Sequence, residues 1–402
     1  MPAEPFDPLP TPFFSVVIPT RDRPATLVQA VASVLTQDFR DFELLVVDNA
    51  GSPPAQTVLA EVANPHLRII TAPQRLAMHR NWELGLAAAR GRYLIFIGDD
   101  DAMMPDGLRL ARELLRTNPV DLLCWPTHDY KWPDAAQAAG LLTICFGGLA
   151  GDLDLAAHLQ RMYGFSGPEV YLTSIYHGAV SAGLVNRIRG LQGGRYFLDP
   201  VCDIESEILN ARFAQGAMIS ERPITMNGHS GASNGGANGR FDRLASAYDR
   251  FAAEAGLEPR ALTPGSVDLP LYHGTLVAGC QQRVKARHFP DDERLRHDPE
   301  RLLRYLIGSS GVFGATRPPD LAKRFQVAAP ALGVTAGSAT LPPLRDPPRP
   351  PVGLTLDAGD RHRLVVDAGM AGIADIRGAI RLVQAMLPPI AGPTRQPDAP
   401  AP

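Results

Sequence analysis

Apolar residues recur in two rhythms along the first 125 residues, and their alternation predicts the fold. Phe13 to Pro19 is a continuous apolar run of strand length closed by proline, the pattern of a buried strand. Leu27, Val31, Val34 and Leu35 then fall at helical spacing, with Asp22 and Pro24 as start signals. Phe42 to Val47 repeats the strand pattern and ends in the turn Asp48-Asn49-Ala50-Gly51. A helix to Ala63, a strand from Leu67 to Thr71 and a helix from Leu76 to Arg90 follow, the last stopped by Gly91. Tyr93 to Ile97 reads as a strand running straight into Gly98-Asp99-Asp100-Asp101; Pro105 opens a helix to Thr117, and Val120 to Trp125 completes the series. Strands separated by helices in this order predict an α/β fold, a mostly parallel sheet flanked by helices. Ligands of such sheets bind beyond the carboxyl ends of the strands.

Farther along, Met218 to Thr225 predicts a strand before the loop-like stretch Asn227 to Gly239, whose glycines and small polar residues build no element of their own. Residues 241 to 315 carry helical spacing, with the basic segment Arg283, Lys285, Arg287 and His288 suited either to an anionic surface or to a solvated helix end. Prolines concentrate in residues 341 to 402, which hold 12 of the 38. That predicts a Pro-rich tail, partly disordered, within which Leu364 to Leu387 has the periodicity of a docking helix. The expected organisation is an extension at 1–12, a catalytic region at 13–240 divided near 125, a helical region at 241–340, and the tail.

Composition narrows the function classes. At 402 residues, 45% hydrophobic and 20% charged, the chain has the balance of a folded globular protein. Its formal charge of -3 provides no global basic field, so nucleic acid is not an expected partner. No apolar run is long enough for a membrane span, and the acidic, proline-broken start is unlike a secretion signal. Four scattered cysteines form no Cys-x-x-Cys pair. A cytoplasmic location follows as the expectation, with peripheral contact at the inner membrane face left open.

Three places should share one rim of the sheet: Thr20-Arg21-Asp22-Arg23, Asp48-Asn49, and Asp99-Asp100-Asp101. Three adjacent carboxylates at the end of a buried strand repel one another unless a cation neutralises them. A divalent metal shared with a diphosphate is one answer, and a solvated acidic turn ahead of the Pro105 helix is the other. Arg75 and Arg80 stand close enough in sequence to reach phosphates or to remain solvated. Trp125, His128, Tyr130 and Trp132 suit an acceptor platform or ordinary core packing.

The runs Ser15-Val-Val-Ile-Pro-Thr, Phe42-Glu-Leu-Leu-Val-Val-Asp-Asn and Gly91-Arg-Tyr-Leu-Ile-Phe-Ile-Gly-Asp-Asp-Asp-Ala-Met-Met-Pro-Asp106 resemble the family 2 glycosyltransferases of the Rossmann-like GT-A fold. The resemblance is specific over about residues 13 to 125 and thinner to about 240. It implies transfer of a sugar from a nucleotide sugar, expected to be UDP-linked, to a glycan or lipid-linked hydroxyl, with inversion and with Mg²⁺ or Mn²⁺. It implies that Asp48 reads the nucleoside and that the motif Asp99 to Asp101 supplies the metal ligand, Asp100 aligning best; Thr20, Arg21, Arg23, Arg80 and Asp99 are then the donor-binding candidates of the rim, and Asp100 and Asp101 the metal candidates. His229 is a further metal candidate by position, and Ser230, Ser233 and Asn234 would belong to a lid. Gly98 stands where many relatives carry an aspartate. In the segment Asp199-Pro-Val-Cys-Asp203-Ile-Glu205-Ser-Glu207 the family's acidic base matches Asp203, with Asp199 as second choice. The rivals are a non-catalytic nucleotide- or glycan-binding module of the same fold and, with no convincing triphosphate loop, a nucleotidyltransferase.

Overall fold

The computed structural model describes residues 11–135, 138–146, 151–166, 172–233, 241–311, 317–334, 350–356 and 362–387. Asn234 and the first ten residues, on which two of the expectations fall, lie outside these. The chain runs β1 (Phe14–Thr20), α1 (Pro24–Leu35), β2 (Phe42–Asp48), α2 (Ala55–Val58), β3 (Leu67–Thr71), α3 (Met78–Ala88), β4 (Tyr93–Phe96), β5 (Ala102–Met103) and α4 (Gly107–Thr117). It continues through β6 (Leu122–Cys124), β7 (Thr127–Lys131), β8 (Leu141–Phe146), β9 (Gly151–Asp152), α5 (Leu155–Tyr163), β10 (Gly178–Ser181), α6 (Ala182–Leu191), α7 (Cys202–Phe213), β11 (Ala217–Ile219) and β12 (Thr225–His229). The C-terminal elements are α8 (Phe241–Glu254), α9 (His273–His288), α10 (Pro299–Ser309), α11 (Leu321–Ala331), β13 (Gly353–Leu356), β14 (His362–Asp367) and α12 (Ile376–Met386).

An eight-stranded sheet has the order β3-β2-β1-β4-β10-β6-β11-β9. Its first four strands are parallel, and β10 runs antiparallel to both neighbours. This is the mixed, mostly parallel α/β sheet that the apolar runs predict. Because side chains alternate along a strand, β1 sends Val16 and Ile18 to the face covered by α1 and α4, and Val17 to the face covered by α3 and α7. Leu44 and Val46 against Leu45 and Val47 repeat the division in β2. A six-stranded sheet, β13-β14-β8-β7-β12-β5, stands beside it.

Local differences from the expected elements have identifiable causes. The helix expected to reach Ala63 is a single turn, α2, with only Ala55 and then Leu59 buried. Helix α3 ends at Ala88, and the next residue, Ala89, is extended at ψ 138°, so Gly91 is not its stop signal. Gly91 instead lets β1 approach, since a Cβ there would lie 2.4 Å from the Ser15 nitrogen. The expected strand Met218–Thr225 divides into β11 and β12, which moves His229 from loop to strand end. Within the segment expected as a tail, β14 pairs antiparallel with β8 along its whole length. Helix α12 buries Ile376, Ala379, Ile380 and Val383 against the same sheet. The expected docking helix is thus a strand followed by a helix.

The four cysteines are free and buried, and no helix among the described residues is long and apolar enough to cross a membrane. Trp125, His128, Tyr130 and Trp132 are all buried, at 8% exposure or less, so core packing accounts for most of their surface. His128 accepts the Cys145 backbone N–H at Nδ1 (3.1 Å), and burial lowers its pKa to about 4. The folded state therefore binds fewer protons here than the unfolded state between about pH 6.5 and 4, and stability falls as pH falls through that window. The melting temperature should drop from pH 7 to pH 4.5, and the drop should shrink in His128→Gln. An equal pH dependence in the two proteins would refute the assignment.

Candidate functional site

The carboxyl ends of β1, β2 and β4 open onto one cleft of about 1220 Å³. Its lining includes Thr20, Arg21, Arg23, Asn49, Asp99 and Asp100 from the parallel sheet and Asp203 from the start of α7. A third wall comes from the second sheet, with Asp129, Asn227, His229 and Arg363, and a fourth from α8, with Ser246, Arg250 and Glu254. Arg21 on the β1 loop pairs with Glu254 on α8 at 2.9 Å.

The three adjacent aspartates have three different environments. Asp99 accepts Thr20 Oγ1 at 2.6 Å and Arg23 Nη1 at 2.8 Å. Burial pushes its pKa up to about 6 against the pull of Arg23. Asp100 accepts both the backbone N–H (3.0 Å) and the hydroxyl (2.7 Å) of Ser230 on Oδ2, while Oδ1 lies 3.6 Å from Arg23 Nη1. Burial and Asp101 raise its pKa. Asp101 is fully buried and does not line the cleft. Its oxygens take Tyr176 Oη at 2.6 Å, the Gly228 N–H at 2.7 Å and the Gly98 N–H, with His177 Nε2 at 3.1 Å. Burial alone would raise its pKa, but His177 and these hydrogen bonds hold it below the usual carboxylate range. Asp101, expected as a metal ligand, is spent on holding the turn.

Gly228 lies so close to this turn that a Cβ would fall 1.8 Å from the Asp100 carbonyl oxygen. That contact brings the end of β12 onto the acidic cluster and places His229 on the cleft wall. There His229 Nε2 lies 3.1 Å from Asn227 Nδ2 and 3.7 Å from Asp129 Oδ1.

Three other expected site residues sit elsewhere. Asp48 is buried, its oxygens accepting the N–H groups of Gly51 and Ala55 at 2.8 Å each; it ties the turn while its neighbour Asn49 lines the cleft. Arg80 is exposed and outside the lining, because Met78, Asn81 and Trp82 present the cleft face of α3 and residue 80 points away from it. Asp199 is buried against Arg283, with Nε at 2.7 Å and Nη2 at 2.9 Å, and does not reach the cleft. The structure does bring Asp203 there, in the first turn of α7, with its Oδ1 accepting the Ile204 N–H at 3.0 Å. Burial raises its pKa, and His273 on the facing helix α9 opposes that rise.

Tyr176 and His177 carry no sequence signal, yet they organise the site. The Tyr176 hydroxyl feels Asp101, Asp100 and Asp203 together, which with burial raises its pKa far above the ordinary value. His177, at φ 59°, spans Asp101 and the Thr225 hydroxyl (2.8 Å). The basic segment of α9 is engaged within the chain: Arg283 and Arg287 pair with Asp199 and Glu205, and Lys285 donates to the Pro290 carbonyl.

No group of three His, Cys, Asp or Glu side chains among the described residues forms a protein-only metal cage. The donors present are carboxylate oxygens on buried Asp99 and Asp100. That set fits a hard divalent ion that takes one or two protein carboxylates and completes its shell with substrate phosphates and water.

The mixed, mostly parallel sheet thus brings the acidic turn after β4 and the acidic start of α7 to one cleft. Residues 15–150 match the model of Glycosyl transferase family 2. A PGL/p-HBAD biosynthesis glycosyltransferase of Mycobacterium bovis is 32% identical over 145 residues, 33% of this chain and 54% of the relative. The GalNAc(5)-diNAcBac-PP-undecaprenol beta-1,3-glucosyltransferase of Campylobacter jejuni is 30% identical over 100 residues, 24% of this chain and 32% of the relative. The chain thus aligns with less than two thirds of these relatives' lengths. Among solved structures, S. aureus TarS 1-349 in complex with UDP-GlcNAc is similar at 16% identity and a TM-score of 0.45, over 80% of this chain and 86% of that one.

Proposed function

We propose that this protein transfers a sugar from a nucleotide sugar to an acceptor hydroxyl, with inversion at the anomeric carbon and dependence on Mg²⁺ or Mn²⁺. The observation that carries the reading is the meeting, in one cleft, of Asp99, Asp100 and Arg23 with Asp203. Asn49 and the β1 loop would contact the nucleoside, with Asp48 holding the turn. Arg23 would hold the diphosphate, and Asp99 and Asp100 would hold the metal, with His229 placed to approach it from β12. A divalent ion there would neutralise charge developing on the leaving diphosphate.

Asp203 would take the acceptor hydroxyl's proton. The oxygen then attacks the anomeric carbon on the face opposite the diphosphate, and the carbon–oxygen bond to the diphosphate breaks with its electron pair leaving on phosphate. A carboxylate whose pKa burial has raised is better suited to accept that proton. The names of the two relatives support a glycan or lipid-linked acceptor, since one carries PP-undecaprenol.

The test is a thermal-shift and calorimetric panel of nucleoside diphosphates and nucleotide sugars with and without Mn²⁺. The reading predicts stabilisation by one nucleotide class, UDP in the first instance, only when metal is present. No response to any nucleotide would remove the donor-site reading.

A further inference from the structure

Helix α9 lies outside the stretch matched by the family model, yet one stripe along it faces the segment that carries Asp203. His273, Cys280 and Arg287 are seven residues apart, and Arg283 precedes Arg287 by one turn, so all four share a face. His273, at the start of the helix, lines the cleft with Asp203. Cys280 Sγ reaches the Val201 carbonyl at 3.7 Å. Arg283 grips Asp199 with two nitrogens, at 2.7 and 2.9 Å, and Asp199 Oδ1 also accepts the Val201 N–H at 3.1 Å. Arg287 Nη1 meets Glu205 Oε1 at 3.1 Å, while Glu205 Oε2 accepts the N–H groups of Leu198 (2.8 Å) and Asp199 (2.7 Å).

Asp203 therefore stands between two carboxylates that are each held from α9. The side chains of Asp199 and Glu205 are 1% and 0% exposed. A two-nitrogen guanidinium grip fixes orientation as well as distance, and lysine cannot reproduce it. We infer that Arg283 and Arg287 are positioning residues for Asp203, and that the helical region after residue 241 is thereby part of the transfer machinery. This rests on the reading of Asp203 as the base.

The experiment compares wild type, Arg283→Lys, Arg283→Gln and Asp203→Asn in the full chain. UDP release from a panel of UDP-hexoses gives kcat and KM, calorimetry gives UDP affinity with Mn²⁺, and melting reports the fold. Arg283→Lys keeps the buried charge and should melt near wild type, while kcat falls at least ten-fold with KM and UDP affinity within two-fold. A folded Arg283→Lys whose kcat falls less than ten-fold overturns the inference, as does a parallel loss of kcat and UDP affinity. Arg283→Gln should show the larger kcat loss; if it does not fold, Arg287→Lys takes its place under the same criterion. Wild-type turnover in Asp203→Asn would instead remove the base reading, and the inference with it.

Discussion

Asp203→Asn is expected to lower kcat by roughly 10²–10⁴, the usual contribution of a positioned general base, while nucleotide affinity stays at the wild-type value. The amide has nearly the carboxylate's volume, and its oxygen keeps the bond to the Ile204 N–H at the start of α7. What it loses is the ability to take a proton. Asp203 makes none of the hydrogen bonds that hold Asp99 and Asp100, so donor binding has no reason to change. UDP release under saturating donor, measured beside calorimetric UDP affinity, separates the two properties. A kcat within ten-fold of wild type would assign the proton to another group.

The second large effect belongs to Asp100→Asn. Asparagine can leave its oxygen on the Ser230 N–H and hydroxyl, so the β4 turn should keep its shape. It removes one of the two carboxylates offered to a divalent ion. Ligand at about 100 times its dissociation constant stabilises a folded protein by about 2.7 kcal/mol. That Mn²⁺-dependent stabilisation by nucleoside diphosphate should vanish in Asp100→Asn, with the melting temperature of the unliganded protein little changed. A retained metal-dependent shift would place the ion on other oxygens.

The parallel half of the fold was readable because β1, β2 and β4 are buried on both faces, and each ends in a turn whose residues cannot continue a strand. The position of the acidic cluster was readable for the same reason. Its division of labour was not. Asp100 and Asp101 are neighbours in sequence, but the partners that separate them, Ser230, Gly228, Tyr176 and His177, arrive from distant segments.

Asp48 and Asp199 illustrate a related limit. Each belongs to a residue type suited to a site and stands next to one, yet its oxygens are consumed by local N–H groups or by an arginine more than eighty positions away. Arg80 fails through helix geometry alone, since a one-residue step along α3 turns a side chain out of the cleft. The tail misleads for a compositional reason. Its prolines flank β13, β14 and α12, and they obscure the short apolar run Leu364 to Val366 within the strand that joins the second sheet.

That last pairing bears on how the protein is made. Residue 146 of β8 hydrogen-bonds beside residue 362 of β14, so β8 emerges from the ribosome long before its outer neighbour exists. Until then its backbone edge is unsatisfied and the cleft lacks Arg363. The parallel strands β1 to β4 can assemble during synthesis, but the cleft gains its second-sheet wall in full only after residue 363 is translated. Nascent chains arrested before residue 362 should therefore carry an open, association-prone sheet edge.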